Sequence, residues 1–530
     1  MVLNNNFMLK KLNLLIVIFL LATGVSFLSA CRDNFETRPS QGQLEFSKDT
    51  LFLDTVFSDI ASSTYQFKVY NRSNQDINIP QIALAQGENS NYRLNVDGVP
   101  GKTFTDIPIL ANDSLFVFVE VTADIEDLTN SETQFIYEDR INFDTGDRLQ
   151  DVNLVSLIQD AVFLYPDRFA DGTTESLLLG TNEDGEEIRI EGFFLDDEHL
   201  SFTDEKPYII YGFAGVPPGE TLSIEAGARV HFHENSGIIA ADQASVQANG
   251  LPSQDEELME NEIIFESDRL EPEFSNVPGQ WGTIWLTAGS NDHHFKHTTI
   301  KNATVGILME SNDGYQEPTL SIDNTQIYNC STIGILGRTA HIQAENLVVN
   351  NCGQASLFLS YGGKYQFKHT TIANYWQQSF RQFPSVLINN YFVTAEQDTL
   401  TNDLVEASFN NSIIYGNERR ELIMNKIDDT DFEVSFKNTL IKFQDFENQF
   451  TDNPLYDFVD ASIYESVIIN EDPNFKAPND NNFIIGEESA ANGLGNQQTA
   501  NDVPLDLLGE DRTTNPDAGA YQSINFDDED

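Results

Sequence analysis

One short phrase recurs seven times in the second half of this 530-residue chain, and it constrains the fold more than any other feature. Each copy places a polar residue three positions before an aliphatic one, and successive copies are separated by 27, 22, 23, 42, 27 and 27 residues. The copies are His297–Ile300, Asn324–Ile327, Asn346–Val349, His369–Ile372, Asn411–Ile414, Asn438–Ile441 and Glu465–Ile468. β-Branched runs at a nearly fixed period, without a helical period, predict a parallel β-helix. The 42-residue interval can hold two short repeats or one repeat with an insertion.

A second polar position follows the repeated aliphatic residue by two places. Asparagine takes this position at Asn302, Asn329, Asn351 and Asn374. We expect their side-chain amides to stack into an asparagine ladder. Cys330 and Cys352 take the next position. Since in-register neighbours lie about 4.8 Å apart, slightly wider than a disulfide prefers, we expect a stacked pair of buried thiols.

The first half of the chain has a different pattern. From Leu44 to Ala161, short alternating runs are separated by turn residues, which predicts an antiparallel β-sandwich over 44–161. Phe67–Asn71 and Ser114–Val121 resemble strands of the immunoglobulin-like domains found beside repeats in exported bacterial proteins. Residues 162–205 are acidic and less regular, so we interpret them as a connector.

Several phrases in the second half resemble one family. They are Leu222–Val230, Gly279–Trp285, Asp472–Phe475 and Pro516–Tyr521. Together with the first half, they resemble exported bacterial lipoproteins that carry an immunoglobulin-like domain and right-handed parallel β-helix repeats. The resemblance implies a right-handed β-helix with its closing segment over 206–522 and an acidic tail over 523–530. It implies no established reaction.

The amino terminus looks like a bacterial lipoprotein signal. Lys10 and Lys11 precede a short apolar run, and Leu28–Cys31 ends in a cysteine where cleavage would occur. We therefore expect a signal peptide over 1–30, lipidation of Cys31 (palmitate) and a tether over 31–43. The apolar run is too short to span a bilayer, so the lipid is the expected anchor. We expect the anchored protein to lie at the outer membrane and to face the cell exterior.

Charge narrows the partners. The chain has 84 acidic and 29 basic residues, a net charge of −55. A negative charge of this size excludes nucleic acid as a partner. It also repels anionic lipids and acidic polysaccharides unless cations bridge them to the protein. The expected partners are outer-membrane proteins or a surface glycan.

Catalytic motifs were sought because many β-helix proteins cleave polysaccharides. The Gly-His-Gly and Arg-Ile-Lys phrases of pectin hydrolases are absent, and no in-register set of Asp, Lys and Arg emerges between residues 290 and 400. A transition-metal site is conceivable at His231, His233, His293, His294 and His297, but no cysteine or carboxylate joins them at ligand spacing. We therefore predict no catalytic residue, metal or cofactor.

Aromatic residues are the remaining binding signal. Trp281 and Trp285 alternate with Gly282 and Ile284, so both indoles face outward if Ile284 faces the core. A second group lies where the repeat is interrupted, and it contains Tyr361, Tyr365, Tyr375, Trp376 and Phe380. Outward rings can stack on sugars or anchor a protein; alternatively, a connector or insertion covers them.

The sequence thus favours a noncatalytic binding or scaffold subunit in complex with outer-membrane proteins. The alternative is a carbohydrate-active β-helix enzyme, either a polysaccharide lyase or a glycoside hydrolase, or a glycan-binding protein. A carboxylate cluster, or a carboxylate with Lys or Arg, in one groove would favour the enzyme.

The first prediction concerns the anchor. Cys31→Ala is expected to move the protein from the membrane fraction to the soluble fraction, because the lipidated cysteine is its proposed anchor. Cell fractionation with immunodetection measures this, and Cys330→Ala serves as the control that stays on membranes. A signal-processed Cys31→Ala protein that remains membrane-bound would contradict the prediction.

Overall fold

The computed structural model describes residues 37–129, 133–181, 185–255, 258–311, 314 and 316–526. The predicted signal peptide, Cys31 and residues 527–530 lie outside the described residues. The chain is 48% strand and 6% helix, which confirms the all-β prediction. It divides into two compact units between Gln159 and Asp160.

Strands β1 to β11 belong to the first unit. They are β1 (Arg38–Pro39), β2 (Glu45–Phe46), β3 (Thr50–Phe57), β4 (Tyr65–Tyr70), β5 (Ile77–Leu84), β6 (Tyr92–Val96), β7 (Val99–Gly101), β8 (Thr103–Ile109), β9 (Ser114–Val121), β10 (Gln134–Phe143) and β11 (Gln150–Gln159).

Within the described residues, these strands form two sheets. One contains β1, β3, β5, β8, β10 and β11, and the other contains β2, β4, β6, β7 and β9. Strand alternation buries Val117 and Val119 of β9, which share one core with Ile141 of β10 and Leu154 of β11. Part of the predicted tether joins the first sheet, because Arg38 of β1 pairs with Ile77 of β5.

The second unit is built mainly from two large sheets. Counted over the described residues, the first has eighteen strands: β12 (Val162–Leu164), β15 (Ser201–Phe202), β16 (Tyr208–Ile210), β18 (Thr221–Ile224), β19 (Arg229–Phe232), β21 (Ser245–Asn249), β22 (Ile263–Ser267), β24 (His293–Lys301), β26 (Leu320–Cys330), β28 (His341–Cys352), β30 (Gly363–Lys368), β31 (Thr371–Asn374), β35 (Leu404–Asn410), β36 (Ile413–Gly416), β38 (Phe432–Lys437), β39 (Leu440–Ile441), β40 (Tyr464–Glu465) and β41 (Ile468–Ile469).

The second large sheet has ten strands among the described residues: β13 (Ser176–Thr181), β14 (Glu187–Phe194), β17 (Phe213–Val216), β20 (Gly237–Ala240), β23 (Ile284–Leu286), β25 (Val305–Glu310), β27 (Ile333–Arg338), β29 (Leu357–Ser360), β32 (Val386–Asn389) and β37 (Leu422–Asn425). Two hairpins complete the strands: β33 (Tyr391–Val393) with β34 (Thr399–Thr401), and β42 (Phe475–Ala477) with β43 (Asn482–Ile485).

The segment 162–205 is more than the connector expected from its sequence. Strands β12 to β15 lie inside it, and β12 pairs in parallel with β16 while β14 pairs in parallel with β17. Both large sheets therefore begin before residue 206.

Helices are few and short in the described residues. They are α1 (Ile125–Leu128), α2 (Gln497–Asp502) and the 3₁₀ turns Gly87–Asn89, Gly146–Arg148, Asp197–His199, Pro272–Phe274, Pro454–Tyr456 and Pro478–Asp480. Side-chain caps fix both α-helices: the Asp124 carboxylate accepts from the amide of Glu126, and Asn496 accepts from that of Thr499. None of the described helices has the length and apolar character needed to cross a membrane.

The repeated phrase sets the register of the eighteen-stranded sheet, as predicted. The repeated aliphatic residues pair from strand to strand in the order Ile300, Ile327, Val349, Ile372, Ile414 and Ile441. The last copy is displaced by one residue, because Ile441 pairs with Ile469 and not with Ile468.

The polar residue that opens nearly every phrase has a left-handed backbone. Its φ lies between 43° and 51° in the first six phrases, at His297, Asn324, Asn346, His369, Asn411 and Asn438. In the seventh phrase the left-handed residue is Ser466, with φ of 55°, one position after the opening Glu465. Asparagine tolerates this conformation better than most residues, because its short polar side chain can hydrogen-bond locally. The repeated position therefore marks a bend that divides each strand into two straight parts.

The predicted asparagine ladder forms only in its middle. Asn351 Nδ2 donates to Asn329 Oδ1 at 2.6 Å. Asn302 instead donates to the carbonyl of Ser275 at 3.0 Å, and Asn374 exchanges hydrogen bonds with the backbone of Cys352 at 3.1 and 2.9 Å. The amide partners differ because neighbouring backbone groups compete for them.

Cys330 and Cys352 are paired in register, as expected. Both are fully buried free thiols. The contact with the Cys352 thiol, followed by burial, raises the pKa of Cys330 well above its usual value. The stacked pair is confirmed.

The 42-residue interval is one repeat with an insertion. Strand β30 pairs directly with β35, and β31 pairs with β36. The residues between β31 and β35 leave the eighteen-stranded sheet and supply β32 and the β33–β34 hairpin.

The carboxyl-terminal residues of the second unit cover part of the eighteen-stranded sheet. Phe483 and Ala520 pack on Val348 and Ala373. The buried Arg512 donates from Nη2 to Asn346 Oδ1 at 3.0 Å. These contacts shield the outer face of β28 and β31.

We predict that Asn351→Leu lowers the free energy of unfolding by about 2 kcal/mol. The substitution removes the side-chain hydrogen bond to Asn329 and forces leucine into a left-handed backbone. Chemical denaturation measures the change. Gln354→Ala, at an exposed site in the same repeat, is the control and is expected to change stability by less than about 0.5 kcal/mol. Equal stability of the two variants would contradict the assigned register.

Candidate functional site

Trp285 lies where the sequence placed it. Ile284 is fully buried, and Trp285 points to the opposite, outer face of the ten-stranded sheet, where it is half-buried. Its neighbours on that face in successive strands are Leu308, Leu336 and Phe358, all half-buried. These four residues form an apolar row across β23, β25, β27 and β29.

The expectation that Trp281 also faces outward is wrong, since its exposed fraction is 1%. Strand β23 begins only at Ile284, so strand alternation does not extend back through Gly282. The Trp281 indole stacks on Phe232, with ring centroids 4.3 Å apart, and donates to the carbonyl of Lys301 at 2.9 Å.

The second aromatic group is also dispersed. Trp376 and Tyr365 are buried, and half-buried Tyr375 packs against Phe475 and Phe483 of the carboxyl-terminal hairpin. Phe380 is 82% exposed. Of the two alternatives left open by the sequence, outward exposure does not hold for Tyr365 and Trp376. Tyr365 lies in the core of the second unit, and Trp376 is 7% exposed.

Trp285 and Tyr361 belong to one continuous surface feature. Trp285 Nε1 donates to Glu310 Oε2 at 2.9 Å, and Glu310 Oε1 accepts from Arg338 Nη1 at 2.8 Å. The Arg338 guanidinium lies over the Phe392 ring, 5.5 Å from its centroid, and Phe392 contacts Tyr361 with centroids 6.3 Å apart. We call these five residues the aromatic strip.

The insertion supplies one of the five residues of the aromatic strip and fixes a second. Phe392 lies on the β33–β34 hairpin, which the insertion supplies, and is 39% exposed. Tyr361 follows β29, has φ of 59°, and is fixed by Asn389 Oδ1, which accepts from its amide at 2.9 Å. Sequence reasoning missed Glu310, Arg338 and Phe392, because only the parallel register and the insertion bring them beside Trp285 and Tyr361.

A second feature, the polar row, lies on the outer face of the eighteen-stranded sheet. Register aligns His231 with Glu266. Glu266 Oε2 accepts from Lys301 Nζ at 2.7 Å, and Lys301 aligns with Tyr328. The expectation that residues 290–400 hold no in-register set of Asp, Lys and Arg is wrong, because register aligns Lys296, Asp323, Glu345 and Lys368 in successive strands. Glu266 of the polar row lies outside that window.

Burial and the ion pair shift the pKa values of Glu266 and Lys301 in opposite directions. Burial favours a raised pKa for Glu266, but His231 and Lys301 outweigh it and hold that pKa below its usual value. Burial likewise favours a lowered pKa for Lys301, yet the Glu266 carboxylate holds it above the usual value. Burial lowers the pKa of His231 and raises that of Tyr328.

These directions do not suit Glu266 as a general acid or Lys301 as a general base. A general acid of the glutamate type needs a raised pKa, and a lysine base needs a lowered one. Glu266 and Lys301 are shifted the other way. The polar row is therefore arranged as a neutralised ion pair.

The histidines do have carboxylate neighbours, contrary to the sequence interpretation. His233 Nδ1 lies 2.7 Å from Asp268, and His294 Nε2 lies 2.6 Å from Asp323. Across the described residues, no group of three or more His, Cys, Asp or Glu side chains is placed to hold a metal ion.

Comparisons with known proteins give little guidance. No protein-family model and no curated protein matches the chain. Among solved structures, the chain has a slight similarity to a family 123 glycoside hydrolase from Clostridium perfringens, studied for glycolipid glycan hydrolysis, at 8% identity and a TM-score of 0.15. The alignment covers 23% of this chain and 26% of that one, which is too little to support a fold or function.

We predict that Lys301→Met destabilises the protein by about 2 kcal/mol at pH 7, because it leaves the Glu266 carboxylate partly buried without its closest cation. Glu266 has a lowered pKa in the folded state, so its contribution is present above the unfolded pKa of about 4.3 and is lost as pH falls through the folded pKa. The stability difference between wild type and variant should therefore shrink below about pH 4.

Denaturation curves across pH measure this effect. Lys296→Met is the matched control, because Lys296 lies on the same strand and forms no ion pair with any described residue. A pH-independent difference would show that the lysine stem, and not its charge, stabilises the fold.

Proposed function

We propose that this chain is a lipid-anchored outer-membrane protein that faces the cell exterior, with a β-sandwich followed by a right-handed parallel β-helix. The in-register parallel pairing of the second unit and the shared core of the two sheets in the first unit support this arrangement. The cysteine at the end of the signal-like segment supports the anchor. We also propose membership of the exported lipoprotein family that the sequence resembles.

Its proposed role is that of a noncatalytic binding or scaffold subunit in complex with outer-membrane proteins. The aromatic strip is the observation that carries this role. Trp285, Glu310 and Arg338 lie on one face of the ten-stranded sheet, and Phe392 of the β33–β34 hairpin lies against Arg338. Arg338 and Phe392 remain 37% and 39% exposed. Aromatic residues and arginine supply much of the affinity at binding surfaces.

Affinity purification from mild detergent tests this role. The combined Trp285→Ala and Phe392→Ala variant is expected to recover at least about tenfold less of the proteins that co-purify with wild type, because it removes the rings on either side of the Glu310–Arg338 pair. Phe446→Ala is the control, since Phe446 is 70% exposed and lies outside the strip.

Two results would contradict the proposed role. One is co-purification that is unaffected by the double variant. The other is an equal loss with Phe446→Ala, which would mean that ring loss anywhere on the surface disturbs the assembly. Thermal unfolding of each variant establishes that the fold is retained.

The second candidate function is a carbohydrate-active enzyme, and the polar row is the observation that favours it. Glu266, Lys301 and Tyr328 place a carboxylate, an ammonium and a phenol side by side. Their pKa directions do not suit Glu266 as a general acid or Lys301 as a general base. We therefore expect purified mature protein to release neither reducing ends nor unsaturated uronates from pectic, alginate-like or neutral glycans, with or without calcium. Product release that Glu266→Gln abolishes would establish the enzyme.

A further inference from the structure

We infer that the aromatic strip binds an uncharged glycan chain that lies across the strands of the ten-stranded sheet. This inference rests on the proposed role of the strip as the binding surface. It adds the chemical class of the ligand.

The first argument is the set of polar groups that the strip leaves available. Arg338 uses Nη1 for Glu310, and its Nη2 makes no hydrogen bond to any described residue. Each Glu310 oxygen accepts one hydrogen bond and can accept another. The Tyr361 phenol likewise has no partner among the described residues, and it can donate and accept. Donors and acceptors in alternation suit the neighbouring hydroxyls of a sugar.

The second argument is the position of the rings. Trp285 and Phe392 lie on either side of the Glu310–Arg338 pair. The indole is held by its Nε1 bond to Glu310, which fixes its orientation before a ligand arrives. Ring faces pack against the apolar faces of pyranose rings, while the ion pair between them reaches the hydroxyl edges.

The third argument is shape. The apolar row shares Trp285 with the strip and runs beside it over β23, β25, β27 and β29, one residue per strand. Strands are spaced about 4.8 Å apart, so three spacings give a track of about 14 Å. A track of repeated positions, one on each strand, fits the repeating units of a glycan chain.

Charge selects the kind of glycan. Glu310 and Arg338 neutralise each other, so the strip offers no excess positive charge to an acidic sugar. The chain as a whole carries a net charge of −55, which repels a polyanion. An uncharged glycan meets neither obstacle.

Isothermal titration with the purified mature protein tests the inference. The probes are linear hexasaccharides of glucose, mannose and galactose, the disaccharide of each, and hexagalacturonate at the same ionic strength. We expect at least one neutral hexasaccharide to bind about tenfold more tightly than its disaccharide, because the longer chain covers more of the track. Hexagalacturonate should not bind.

The variants locate the site. Trp285→Ala and Phe392→Ala should each weaken binding of that hexasaccharide by about tenfold, and Phe446→Ala should leave it unchanged. Phe392 lies on a hairpin outside both large sheets, so we expect Phe392→Ala to leave the sheets intact. This variant therefore tests the site even if the separate Trp285→Ala variant fails to fold.

The outcomes separate this inference from the proposed role. Failure of all three neutral hexasaccharides to bind, binding of hexagalacturonate with equal affinity, or binding that survives Phe392→Ala would overturn the glycan ligand. If capture of membrane proteins still depends on Trp285 and Phe392, a protein is the occupant and the proposed role stands. If glycan binding depends on the strip and protein capture does not, the inference stands and the scaffold role fails.

Discussion

A left-handed backbone at fixed positions of each repeat is the constraint on which the strands from β24 onward depend. At positions such as Asn324, Asn346 and Asn411, it bends the chain at the same point of every repeat and so keeps the strands in register. Identical positions then lie one above another, and aromatic residues stack through the core, as at Phe367, Phe409 and Phe436, with centroids 4.8 and 5.2 Å apart. Because all strands share the bend, an error in one repeat would misalign its neighbours.

The same register decides which surfaces can be functional. On the eighteen-stranded sheet it places Glu266 beside Lys301, and the two charges satisfy each other. On the ten-stranded sheet it places Glu310 beside Arg338, where two rings frame the pair and part of its hydrogen-bonding capacity stays free. The two ion pairs differ mainly in the exposure of the cation, because the Lys301 side chain is 17% exposed and the Arg338 side chain is 37% exposed.

Covering segments account for the differences between expected and observed exposure. The carboxyl-terminal hairpin packs against Tyr375, and the insertion places Phe392 next to Tyr361. The insertion thus extends the aromatic strip by adding Phe392. The carboxyl-terminal residues instead cover the outer face of β28 and β31.

The sequence alone determined the all-β class, the paired thiols at Cys330 and Cys352 and nearly the whole repeat register, because these follow from local periodicity. It also placed Trp285 on the outer face. It missed burial of Trp281, which depends on where strand β23 begins, and it missed the contact of Glu310 with Arg338, which depends on pairing between residues 28 positions apart. Local pattern fixes which way a strand residue points, but only tertiary packing decides what covers it and which residues become its neighbours.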